Sequence, residues 1–174
     1  MEVRMSRIAA ALWALFFVSW AVPTFAAPAP PLSVVVLDFE LIDTSLEGAS
    51  RGIDTAETAR LALISGLLRD LLAASGKYQV VAQAPAAAQI ADAGLIHGCN
   101  GCEAAIAGAL GAERIMTGTV QKVSTLILTL SIFERDVATG RNLQVATAQI
   151  RGNTDQSWAR GVQWLVRNQL LAHP

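Results

Sequence analysis

The sequence predicts an α/β (α+β) domain, a mixed five-stranded sheet with packed helices in the order β-α-β-α-α-β-β-β-α. Three observations carry this expectation. Val34-Val35-Val36-Leu37 is an uninterrupted β-branched and aliphatic run, the composition of a strand covered on both faces. Leu61, Ile64, Leu68 and Leu71 recur three and four apart, which places them on one face of a helix. Residues 115–123, 126–136 and 143–151 are three consecutive strand-like stretches, joined by links short enough to make antiparallel neighbours.

Taken in order, the first strand is expected over residues 33–40. Residues 41–53 read as a loop, because Gly48, Ser50 and Gly52 stand among polar residues. Asp54, three residues before Glu57, reads as a capping box opening a helix that runs to about residue 74. Ser75-Gly76 stops it, and a short strand follows over 78–81. The alanine-rich stretch 85–93 predicts a weakly anchored helix, since alanine buries little area. A further helix over 103–110 is closed by Gly111. The middle strand of the last three alternates Leu126, Leu128, Leu130 and Ile132 against Thr129 and Ser131. The link 136–141 suits a hairpin in which Gly140 takes a positive φ. Asn153, Thr154 or Asp155 then caps a last helix reaching residue 171, with Trp158, Val162, Leu165 and Val166 facing inward.

The amino terminus reads as an export signal over residues 1–26. Arg4 and Arg7 precede an uncharged apolar run from Ile8 to Val22, and Thr24-Phe25-Ala26 offers small residues at a cleavage site. The run is short of the roughly 20 residues a membrane span needs, so cleavage is expected and no stable span after it. No cysteine stands at the junction, which closes the lipoprotein route. Residues 27–32 form a Pro-rich leader and 33–174 a single domain. The expected location is the periplasm. Removing Arg4, Arg7 and Glu2 leaves 11 basic against 13 acidic residues, and Lys77 and Lys122 are the two lysines. Without a basic cluster, nucleic acid is not an expected partner.

The stretch from Leu110 to Val120, LGAERIMTGTV, followed by a long strand and then Asp136-Val137-Ala138-Thr139-Gly140, carries a resemblance. It resembles the amino-terminal domain of the translocation protein TolB, the curli-secretion lipoprotein and the lipoprotein activators of penicillin-binding proteins. Val34-Val35-Val36-Leu37-Asp38-Phe39, Cys99-Asn100-Gly101-Cys102-Glu103 and Arg151-Gly152-Asn153-Thr154-Asp155 with Trp158 are together similar to an uncharacterised family of exported proteobacterial proteins. The resemblance implies a fold and a role in binding other envelope proteins without catalysis. It transfers no site. It also implies, as a specific case, an accessory role beside a quinoprotein alcohol dehydrogenase.

Cys99 and Cys102 are the two cysteines, two residues apart and just before a helix, in an exported chain. A structural disulfide is the leading reading in an oxidising compartment. Thiol exchange and metal binding are the alternatives, since a helix N-terminus favours thiolate. Glu103 stands where haem attachment would need histidine. His97 could join the cysteines as a third ligand but reads as a loop residue, and His173 as a terminal one, so no metal and no cofactor is expected. Asp38 and Glu40, two apart on the first strand, project to one face at its carboxyl end and are the candidate ligand-facing pair. Arg151, Asn153, Asp155 and Arg160 crowd the start of the last helix, and Trp164 lies off its apolar face; these are the candidate interaction residues.

The expected function is therefore an exported periplasmic protein-binding or accessory module, not an enzyme, with another envelope protein as partner. A thiol-disulfide protein using Cys99 and Cys102, and a periplasmic carrier of a small ligand, are the competing readings.

Overall fold

The computed structural model describes residues 30–52 and 54–172. The expected signal peptide, residues 27–29 of the leader and His173 lie outside the described residues.

Six strands form one mixed sheet: β1 (Leu32–Val36), β2 (Glu40–Asp43), β3 (Tyr78–Val81), β4 (Arg114–Ser124), β5 (Ile127–Asp136) and β6 (Asn142–Ile150). The order is β3-β1-β4-β5-β6, with β2 also on β4. β1 pairs in parallel with β3 and β4, and β4, β5 and β6 are antiparallel. The α/β class and mixed sheet are as expected; the count is six, not five.

The extra strand comes from the segment read as the end of one strand and the start of a loop. β4 is long enough to pair β1 through Arg114–Met116 and then β2 through Thr119–Lys122. Between them the ladder breaks at Leu37-Asp38-Phe39, where the Phe39 N–H donates to Ser65 Oγ at 2.9 Å. The Phe39 ring lies over Gly118, where an added Cβ would come within 2.4 Å of it. The remainder of the expected loop holds a short helix, α1 (Leu46–Arg51), capped by Ser45.

Helices α2 (Thr55–Ala74) and α5 (Asp155–Leu165) cover one face of the sheet. Ile64, Leu68 and Leu72 of α2 and Trp158, Val162 and Leu165 of α5 meet Val34, Val36, Met116, Leu128, Leu130 and Ile132 in the larger core. Gly161 allows this close approach, because a Cβ there would lie 2.4 Å from Leu130 Cδ1. After α5 the chain continues as a π-helical turn over Val166–Leu170. On the opposite face, α3 (Ala87–Ala93) and α4 (Cys102–Ala109) cover Val35, Leu37 and Ile115 in a smaller core.

That second layer ends at β4. Along β5 and β6 the outward side chains alternate with the core-facing Leu128, Leu130, Ile132 and Ala146, so the same face of these strands is uncovered.

One cap differs from expectation. Asp54 accepts from the Ala56 N–H, while Glu57 is buried and turned away from it, so there is no capping box there. The capping box stands at α5, where Thr154 and Ser157 bond reciprocally. Gly140 takes φ 67° in the β5–β6 turn as expected, whereas Leu126 precedes β5 and is exposed.

Candidate interaction surfaces

Cys99 and Cys102 are bridged, with their Cα atoms 5.6 Å apart. Both sulfur-bearing residues are half-buried against the smaller core, and the bridge ties a short 3-10 turn (Ile96–Gly98) to the start of α4. Glu103 Oε2 lies 3.4 Å from Cys99 Sγ, a contact only, since a bridged sulfur has no proton to donate. Arg135 of β5 pairs with the same carboxylate at 3.1 Å, fastening α4 to the sheet. A carboxylate beside the sulfur opposes the thiolate-favouring effect of the helix end.

Glu40 fastens the turn that precedes the bridge. Its carboxylate accepts the N–H groups of Ile96 at 2.6 Å and His97 at 2.8 Å, and lies 2.7 Å from His97 Nδ1. Sequence reasoning placed no histidine near Glu40, because the two are 57 positions apart. Asp38 stands in the break between β1 and β2, not in a strand, so the expected same-face strand pair is corrected to two residues with separate partners. Arg69 Nη2 donates to Asp38 Oδ1 at 2.5 Å and Gln83 to Oδ2 at 3.0 Å. Both carboxylates line a cleft of about 400 Å³ between the disulfide turn and the sheet, with Thr117, Thr119 and Phe133 among its lining.

The start of α5 divides the other candidate residues. Asn153 and Asp155 are held by the fold: Arg60 Nε donates to Asp155 at 2.8 Å, Arg60 Nη1 donates to Asn153 Oδ1 at 3.2 Å, and Asn153 Nδ2 donates to Glu57. Arg151, Arg160 and Trp164 are exposed, Trp164 by 47%.

Beneath Asn153 lies a buried group that sequence reasoning missed. Lys122 Nζ sits 2.7 Å from Glu57 Oε1 and 3.1 Å from Asp43 Oδ2, with Lys122 only 4% and Glu57 1% exposed. Burial would pull the Lys122 ammonium down, but the hydrogen bonds to Glu57 and Asp43 outweigh it and hold its pKa above the ordinary value. Burial likewise opposes the Asp43 carboxylate, yet hydrogen bonds from Ser45 and Lys122 hold it below the usual range. The group joins β2, α2 and β4 and acts as a structural tie.

The profile of one protein family matches residues 32–170, from the first residue of β1 to the last turn of the carboxyl-terminal helix. The chain belongs to the DUF3280 family, described as a protein of unknown function (DUF2380). No curated protein matches this DUF3280 chain. Among solved structures it is similar to the LpoB C-terminal domain from Salmonella enterica, with a TM-score of 0.51 and 17% identity over 70% of this chain and 84% of that one. It is also similar to the PelC dodecamer from Paraburkholderia phytofirmans, at TM-score 0.50 and 14% identity over 81% and 89%. TolB from Acinetobacter baumannii aligns at TM-score 0.49 and 14% identity over 85% of this chain and 30% of its own. At these identities the DUF3280 chain shares a fold with LpoB, as the sequence resemblance implied, and with PelC. No helix among the described residues is long and apolar enough to cross a membrane.

Proposed function

We propose that this chain is an exported, non-catalytic module that binds another envelope protein on the uncovered face of its sheet. One observation carries the reading. Val123, Ile127, Leu143 and Val145 are 53, 53, 51 and 50% exposed on strands β4, β5 and β6, where the second helical layer is missing. A sheet face of this kind is normally covered, and an exposed apolar surface rimmed by polar side chains is the mark of a binding site. The cleft beside Asp38 and Glu40 lies on the same face, so the disulfide-stapled turn would form a wall of the docking surface.

Affinity capture from envelope extract tests this with the wild-type chain and an Ile127→Lys/Val145→Lys variant. The wild type should retain a partner that the variant loses, while both unfold alike; equal capture by both contradicts the proposal. A quinoprotein alcohol dehydrogenase is the specific partner to look for. The cleft favours a second reading, a carrier of a small ligand, which calorimetry against periplasmic metabolites separates from protein binding. The thiol-exchange reading requires a reduction potential well above the roughly −300 mV below which structural bridges lie.

A further inference from the structure

The outer edge of the sheet carries a separate surface. β6 is the last strand, and its sequence contains no charge and no proline, the devices that usually keep an edge from pairing. One side chain already pairs along it: the Thr147 N–H donates to Gln169 Oε1 at 3.1 Å, and Gln169 Nε2 donates to the Thr147 carbonyl oxygen at 3.2 Å. Those are the two bonds a neighbouring strand would make. The period of two puts the N–H and C=O of Gln149 and Arg151 on the same outward side. The Gly152 N–H, one residue on, turns inward to the Leu126 carbonyl oxygen, consistent with that parity.

Helix α5 runs beside this edge and leaves a groove of about 850 Å³, with Gln149, Arg151, Arg160 and Trp164 on its sides and Gly161 at its floor. Among the described residues no acidic side chain lines it. Among the described residues the Arg151 and Arg160 guanidinium groups have no ion pair or hydrogen bond. The geometry points to a strand-addition site for an extended acidic segment of a partner protein. The segment's backbone pairs with Gln149 and Arg151, its carboxylates meet the two guanidinium groups, and an apolar side chain packs on the Trp164 indole. This deepens the reading of the chain as a protein-binding module and rests on it.

The test uses the exported chain purified from the periplasm and three end-capped peptides. One alternates valine with glutamate, one alternates valine with lysine, and the third is the glutamate peptide N-methylated on alternate amides, which removes strand pairing but keeps charge. Binding is read from backbone amide shifts and the Trp164 indole signal. The glutamate peptide should shift Gln149, Arg151 and Trp164, and the other two should bind at least about tenfold more weakly. Arg151→Glu and Arg160→Glu should each cost about tenfold in affinity with thermal unfolding unchanged. Failure of the glutamate peptide to bind, equal binding of all three, or shifts confined to the cleft beside Cys99 would overturn the site. Capture of an envelope partner that survives both arginine variants sinks this inference and leaves the protein-binding reading intact. Peptide binding without any captured partner does the reverse.

Discussion

Gly118 and Phe39 show how one residue sets the shape of the candidate surface. Because Gly118 has no side chain, the Phe39 ring can lie on β4, the pairing along β4 is interrupted between β1 and β2, and Asp38 and Glu40 are delivered to different partners. Gly118→Ala should lower stability by about 1–3 kcal/mol through overpacking, read by urea unfolding, and should disturb the Glu40–His97 contact in NMR spectra. Lys122→Ala should cost more, about 3–5 kcal/mol, because it leaves the Glu57 carboxylate buried without its cation. The same group sets a pH window. Lys122 titrates above its unfolded value of 10.5, so its contribution is full below that pH and lost above it. Asp43 titrates below its unfolded value of 3.8, so its contribution is present above that pH and lost as the pH falls further. Thermal unfolding of the wild type against Lys122→Ala should therefore show its largest difference between these limits and a shrinking one outside them. None of this was legible in the sequence, where Asp43, Glu57 and Lys122 stand in three separate segments and Glu57 reads as part of a helix cap.

At the scale of elements, the disulfide turn is the part the sequence made plainest. Two cysteines spaced two residues apart in a chain expected to be exported implied the bridge, and only its environment had to come from the fold. Replacing both with serine closes off a very short loop constraint, so we expect a loss of about 2 kcal/mol by denaturant unfolding. We also expect faster amide exchange in the Ile96–Gly98 turn, since Glu40 then holds that turn alone. The helix α2 and the β4–β5–β6 meander were equally legible, because each pattern persists over nine residues or more. β2 was not. Its Leu41-Ile42 pair stands between Glu40 and Asp43, too little pattern for a strand, and it is one because β4 offers it a free edge. Asp54 misled for a related reason: Glu57 fits a capping box locally, but Lys122 supplies a stronger partner from across the sheet.

For the molecule as a whole, helices cover one face of the sheet throughout and the other only as far as β4. The alternating pattern of β5 foretold a two-sided environment, but strand order and the reach of the second layer depend on contacts between distant segments. That half-covered sheet is the physical basis of the proposed role. The most direct measurement is site-specific photo-crosslinking in the periplasm, with the probe placed at Val145 on the uncovered face or at Leu63, exposed on the outer side of α2. We expect a discrete heterologous product from position 145 and none from position 63. Products from Leu63 alone, or from neither position, would contradict it.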